Sequence, residues 1–390
     1  MNTVRNPFAP GAGSQPPELA GRDEIVSGAE VALKRVVAGR HAKSQILLGL
    51  RGTGKTVLLN KIKGIAESDE CLTSFIESPE NESLAGLLYP QIHQVLRKLS
   101  AVQNAKAHVH EAMRALKGFA NVFKISVGDV TISVDAEPGT ADSGNLEFDL
   151  PDLFLKVGEA AKSAKTAWCL LIDELQYLSK KELAALIVSL HRVSQESLPV
   201  LFFGAGLPQV APMAGNVKSY AERLFEFPKV GSLDNVAAVK AIRQPIENEG
   251  ESISDAALDR LLTRTGGYPY FLQEWGSQAW NIAESSPISK EDIDTASTEA
   301  LRRLDEGFFS VRYDRLTPKE QDYVVAMAEL GHGPYRSSDI AKRLDVSTGK
   351  LSKQRDSIIR KGVIYSPARG KVAFTVPMFE EFIKRIEGSD

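Results

Sequence analysis

Two short stretches of this chain carry residue types that could do chemistry together. Asp173 and Glu174 close the most continuous apolar run, Ala167–Ile172, and Lys55 and Thr56 close a glycine-rich stretch after the apolar Ile46–Leu48. Gly49, Leu50, Arg51, Gly52, Thr53, Gly54, Lys55 and Thr56 fit G-x-x-x-x-G-K-[ST], with Val57 opening a helical pattern behind them. In such a loop successive backbone N–H groups face phosphate oxygens, and the helix N-terminus adds partial positive charge. Lys55 would reach the β- and γ-phosphates, and the Thr56 hydroxyl would ligate Mg²⁺. An aspartate at the carboxyl end of a buried strand beside this loop suits the same Mg²⁺, and the adjacent glutamate can polarise an attacking water.

These residues need a parallel sheet to bring them together. Strands are expected at Ile46–Leu48, Leu72–Ile76, Ala167–Ile172 and Pro199–Phe203, alternating with helices that include Ser83 to about Gln103, Ala105–Phe119, Leu153–Ser163 and Lys181–Gln195. Such alternation makes an α/β fold with its ligand at the carboxyl edge of the strands. Residues 2–18 hold too many prolines and glycines for an element and read as an extended lead-in over the surface. A helix follows from Ile25 to about Ala38. Arg22, just ahead of it, either closes over an adenine or is a solvated helix-start charge. VFKISVGDVTISVDAE alternates on both sides of Gly128-Asp129, a hairpin signal, and EPGTADSGNLEFD after it reads as a loop. Arg223 reads as a cation for the γ-phosphate of a neighbouring subunit or as a helix-surface arginine.

From Leu233 the pattern turns helical, with segments at Asp234–Gln244, Ser254–Thr265, Tyr270–Ala283 and Lys290–Asp305. The Gly266-Gly267-Tyr268-Pro269 break starts a helix near the nucleotide, since Pro269 fixes a first-turn φ and the free N–H groups seek an acceptor. LTPKEQDYVVAMAEL then reads as a capped helix, with Thr317 at N-cap and Glu320 at N3. Two further helices and a hairpin, Val363–Tyr365 with Val372–Val376, complete a winged-helix order. Residues 315–385 hold 14 basic against 8 acidic side chains. Lys350, Lys353, Arg355, Arg360 and Lys361 beside the third helix, with Arg369 and Lys371 at the hairpin tip, could contact DNA phosphates. Winged helices also dock proteins, so both partner classes stand.

The whole chain is no polyelectrolyte: 47 Lys and Arg against 50 Asp and Glu give a net charge of −3, so a nucleic-acid site must be a local patch. Its 390 residues suggest two or three domains. Cys71 and Cys169 sit far apart in apolar runs and read as buried thiols in a reducing cytoplasm, and no run is long enough to span a bilayer. His108 and His110 are two apart in a helical pattern, on different faces, which argues against a metal pair.

With these residues in hand, the chain resembles the AAA+ ATPases of the origin-recognition and archaeal initiator type, in bacterial form with a C-terminal winged helix. GLRGTGKT looks like the Walker A motif and LLIDE like the Walker B. The resemblance implies a P-loop NTPase core over 21–232, decorated by an insertion at about 118–150. A lid over 233–305 and a winged helix over 306–390 follow, behind an extended segment at 1–20. It implies ATP, ADP and Mg²⁺ as ligands, hydrolysis at Lys55, Thr56, Asp173 and Glu174, and a finger-like Arg223 acting across a homo-oligomer. Two departures stand out: the fourth strand ends in Gly204-Ala205-Gly206 without a polar sensor, and GGYP lacks a sensor arginine. Both point to slow hydrolysis by a switch, or to a signalling NTPase of the STAND type whose winged helix binds a protein.

Overall fold

The computed structural model describes residues 1–390 apart from 12, 81, 126–135, 137–138 and 389–390. The hairpin expected around Gly128-Asp129 lies outside the described residues. The chain divides into two compact units: Glu24–Leu48 with Lys55–Lys229, and Met1–Asp23 with Gly49–Gly54 and Val230–Asp390.

In the first unit, α1 (Asp23–Val37) leads to β1 (Ser44–Leu48), α2 (Lys55–Ser68), β2 (Leu72–Glu77), α3 (Leu84–Leu99), α4 (Lys106–Val122), α5 (Leu146–Ser163) and β3 (Trp168–Asp173). Then come α6 (Lys180–Gln195), β4 (Val200–Gly206), α7 (Val210–Val217), α8 (Ala221–Leu224) and β5 (Phe225–Glu226). The five strands pair in parallel in the order β2-β3-β4-β1-β5. β4 therefore separates β1 from β3, and chain leaving β1 runs to one side of it while chain leaving β4 runs to the other. That divergence opens a crevice at the carboxyl ends of the central strands. Every residue of β1, β3 and β4 is buried, so the central strands are apolar on both faces, as helix-covered parallel strands must be.

Several boundaries moved from expectation for local reasons. β4 runs on to Gly206 because the glycines still pair with β1, Leu48 opposite Gly206. The segment expected as loop up to Asp149 turns helical at Leu146: Asn145 caps the Glu147 N–H at 3.0 Å, and buried Asp149 accepts from the N–H groups of Ser143 and Gly144 at 3.0 and 2.8 Å. Helix α3 stops at Leu99, short of Gln103. Ser179 and Glu182 form a capping box that fixes the start of α6.

The second unit holds α9 (Asn235–Asn248), α10 (Asp255–Thr265), α11 (Pro269–Ile282) and α12 (Lys290–Leu304), the last continuing through a π turn at Asp305–Phe309 into α13 (Ser310–Tyr313). After them come α14 (Pro318–Glu329), β6 (Tyr335–Arg336), α15 (Ser337–Arg343), α16 (Thr348–Arg360), β7 (Ile364–Tyr365), β8 (Lys371–Phe374) and α17 (Phe379–Glu387). β8 pairs antiparallel with both β6 and β7. Ser254 caps α10, Gly266 ends it in the left-handed region, and Thr317 with Glu320 boxes the start of α14. The N-terminal lead-in is tied down: Phe8 is buried against Gly276, Trp280 Nε1 donates to Asn2 O at 2.8 Å, and Asn6 Nδ2 donates to Ser277 O at 3.1 Å.

Candidate active site

Parallel pairing sets Glu77 opposite Asp173 and Ile172 opposite Gly204, so the carboxylate emerges where β3 stops being covered. Helix α2 opens with Lys55 and Thr56, and Thr56 Oγ1 donates to Asp173 Oδ2 at 2.5 Å. The other carboxylate oxygen accepts from the Glu174 N–H at 2.7 Å. Burial pushes the Asp173 carboxyl above its usual range, against the Thr56 bond, the Glu174 N–H and the nearby Lys55 charge. Lys55 is itself buried, and Ser78, whose N–H donates to Asp173 O at 3.2 Å, keeps a buried hydroxyl without a protein partner.

A threonine hydroxyl, an aspartate carboxylate and an unmatched serine hydroxyl are hard oxygen groups. They fit Mg²⁺, which takes one or two protein oxygens and leaves its other positions to water and phosphate. Among the described residues no group of three or more His, Cys, Asp or Glu could hold a metal by itself. His108 instead pairs its Nδ1 with Ser163 Oγ at 3.0 Å, and both cysteines are free and buried.

In the second unit, the loop Gly49–Gly54 is fastened through its backbone. Gly49 has no room for a side chain, since a Cβ would lie 2.2 Å from Val230 O. Gly52 adopts φ +82° with Tyr270 directly over it, and its carbonyl accepts from the Tyr270 N–H at 3.1 Å. The Arg51 carbonyl accepts from the Tyr268 hydroxyl, and the Arg51 N–H donates to Thr375 O at 3.1 Å. Arg22 is buried, with its guanidinium donating to Gly231 O and, at 3.4 Å, to Thr53 O. Burial lowers its pKa. It therefore braces the loop backbone and is not a solvated helix-start charge. Pro269 occupies the first turn of α11, next to these tyrosines.

Sequence reasoning passed over Arg312. Its guanidinium stacks 3.9 Å over Phe308, which stacks on Tyr270 at 4.6 Å, and burial together with Arg51 lowers its pKa to about 10. No sequence motif marks it; it stands on the short helix α13 that follows the π turn. Gln176 was also passed over, although it stands only two residues after Glu174.

The outer candidates divide. Arg223 is exposed on the short helix α8. Lys350, Lys353, Arg360, Arg369 and Lys371 are exposed in the second unit, as phosphate contacts require. Two others are engaged elsewhere. Lys361 Nζ donates to Glu320 Oε2 at 2.6 Å and to Arg315 O at 2.8 Å, and Arg355 pairs with Asp356 at 3.1 Å. Lys361, expected among the phosphate contacts, is thus partly buried and paired with the capping carboxylate of α14.

Residues 18–203 match the family model of the AAA ATPase domain. That stretch holds Lys55, Thr56, Asp173 and Glu174. Behind it, residues 306–383 match a family described only as a domain of unknown function. The Walker-type ATPase of Pyrococcus abyssi is similar over 95% of this chain and 97% of its own, at 15% identity and a TM-score of 0.54. The Aeropyrum pernix Orc1 protein in complex with DNA is similar at a TM-score of 0.46 and 15% identity, over 98% of this chain and 96% of that one. At 15% identity the likeness to the Pyrococcus abyssi protein is one of fold alone. No curated protein matches the chain. Among the described residues no helix is long and apolar enough to cross a membrane.

Proposed function

We propose that this chain is a slow Mg²⁺-dependent ATPase switch of the ORC-like type whose residues 306–390 form a winged helix that binds DNA, following a core over 21–232 and a lid over 233–305. The observation that carries the reading is the 2.5 Å bond from Thr56 to Asp173 at the start of a helix entered through a glycine loop. Loop amides from Gly49 to Val57 and the Lys55 ammonium bind the polyphosphate, while Thr56 and Asp173 hold Mg²⁺. Bound there, Mg²⁺ would supply charge neutralisation to the phosphate oxygens. Glu174 accepts the proton of the attacking water; as the new O–P bond forms, the bond from Pγ to the bridging oxygen breaks and ADP leaves with its electron pair. Arg223 serves the site of a neighbouring copy in a cytoplasmic homo-oligomer. Arg22 acts through the Thr53 carbonyl that it braces, and Pro269 starts a helix near the nucleotide.

Occupation of the loop reaches the C-terminal body through Arg51 and Gly52, whose backbone groups are held by Thr375, Tyr268 and Tyr270. Turnover assays test the enzyme: Glu174→Gln should slow phosphate release about 100-fold or more, to a residual rate that is still measurable, while leaving ATP bound. Anisotropy of a labelled duplex tests the DNA half, with affinity falling steeply as salt rises and a Lys350→Ala/Lys353→Ala/Arg360→Ala variant losing both affinity and salt slope. Binding indifferent to salt and to that variant would remove DNA from the proposal. The engagement of Arg355 and Lys361 favours a second reading, a signalling NTPase whose winged helix docks a protein. Its test is a defined co-purifying protein that is lost on changes in Ser347–Lys361.

A further inference from the structure

The end of β4 brings no polar side chain of its own to the carboxyl edge of the sheet, where β2 and β3 bring Glu77 and Asp173. Gly204, Ala205 and Gly206 offer none, yet the position is not left to apolar contact. After Asp173 the chain turns sharply, with Glu174 in the left-handed region at φ 56° and ψ 42°, into a single 3-10 turn at Leu175–Tyr177. That turn lies against the glycines of β4. A Cβ on Gly204 would sit 2.4 Å from Leu175 Cδ1, and one on Gly206 would sit 3.0 Å from Gln176 Oε1. The glycines thus make room for the turn, and the turn delivers Gln176 to the end of β4.

There the two ends of the Gln176 amide do different things. Its Nε2 donates to Glu174 Oε2, and its Oε1 accepts from the Leu207 N–H at 3.0 Å, the first backbone donor beyond the strand. The Leu207 bond fixes which end of the amide is the donor, so the NH₂ group must face the glutamate. Together with the Asp173 bonds, this makes an unbroken line from Thr56 through Asp173, Glu174 and Gln176 to Leu207. One carboxylate oxygen of Glu174 is tethered, which leaves the other for the water proton. Glu174 is held in the left-handed region, a conformation that costs a side-chain-bearing residue backbone strain.

We infer that Gln176 is the positioning residue of the hydrolytic glutamate, standing in for the polar side chain that β4 lacks and reporting the state of the β4 end to the water-activating carboxylate. The inference rests on the ATPase reading, since it assigns Gln176 a role through Glu174. An amide suits the task because it donates to a carboxylate without becoming charged itself, whereas a glutamate there would repel Glu174. Loss of the tether leaves ATP binding intact, because none of the loop groups is touched, but lets Glu174 rotate away from the attacking water.

The test is a double-variant cycle on the full-length protein with Mg-ATP as substrate, reading kcat, KM and thermal midpoint. Gln176→Ala and Gln176→Glu should each lower kcat about 10- to 100-fold, within the contribution of a general base, with KM changed less than about 3-fold. In a Glu174→Gln background, Gln176→Ala should cause no further loss, because the group it positions is already gone. An equal additional drop in that background, a rise in KM matching the fall in kcat, or wild-type turnover in both single variants would overturn the inference while leaving the ATPase standing. A wild-type protein that turns over no faster than Glu174→Gln would overturn both, and the single comparison of those two proteins tells the cases apart.

Discussion

The buried pair of Glu320 and Lys361 allows a prediction whose size follows from geometry. The Glu320 side chain is 5% exposed and that of Lys361 24%, with 2.6 Å between Nζ and Oε2. Burial alone would raise the Glu320 carboxyl, but hydrogen bonds from Lys361 and Ser357 and the Thr317 cap bring it down to about 2. Removing one partner of a fully buried pair costs roughly 3–5 kcal/mol. Here Lys361 is partly solvated and Glu320 keeps the Thr317 N–H at 2.7 Å, so Lys361→Met should cost about 2–3 kcal/mol at neutral pH. The sign with pH is fixed by a depressed carboxylate. Its stabilisation is fully present above the unfolded value near 4.5 and drains away as pH falls towards about 2. Urea midpoints should therefore differ strongly between wild type and Lys361→Met at pH 7 and converge in acid, and Glu320→Gln in the same background should recover much of the loss. A Lys361→Met protein as stable as wild type at pH 7, or with a deficit that persists unchanged in acid, would show that the pair does not carry this weight. A drop in DNA affinity with unchanged stability would return Lys361 to the phosphate contacts.

Other consequences can be checked separately. Asp173 has its pKa raised by burial, so the cost of keeping it charged grows as pH rises through its folded value; Asp173→Asn should stabilise the nucleotide-free protein at neutral pH, by about 0.5–2 kcal/mol, while abolishing the Mg²⁺ dependence of ATP binding, as thermal melts with and without Mg-ATP would show. Tyr268→Phe removes the donor to the Arg51 carbonyl and should cost about 1 kcal/mol of stability, with ATP affinity in calorimetry weakened several-fold because the loop loses one of its fasteners. Gly204→Ala places a Cβ 2.4 Å from Leu175 and 2.8 Å from Phe202 Cζ, so it should lower the thermal midpoint, by roughly 1–3 kcal/mol in stability, and reduce kcat with it.

The sequence made legible whatever is local to it. That Thr56 and Asp173 come together was readable because a glycine-rich loop and a strand-end carboxylate are each marked within a few residues, and a 2.5 Å bond joins them. The start of α14 was readable because the capping box of Thr317 and Glu320 is a contact between residues three apart. Long-range compensation was not legible. The absence of a polar residue at Gly204–Gly206 was visible, but that Gln176 fills the place depends on a turn packing against glycines some thirty positions away. A count of basic residues likewise did not distinguish Lys350, exposed on α16, from Lys361, consumed by a carboxylate forty-one positions earlier. Arg312 was invisible because its stack on Phe308 and, through Phe308, on Tyr270 carries no motif.

The central claim is that residues 49–56 with Asp173 bind a magnesium-complexed triphosphate, and titration calorimetry of the full-length protein with ATP, run with and without Mg²⁺, addresses it most directly. The account predicts saturable one-to-one binding that needs Mg²⁺ for full affinity and disappears in Lys55→Ala. Absence of any magnesium-dependent heat, or a Lys55→Ala protein that titrates like its parent, would contradict it.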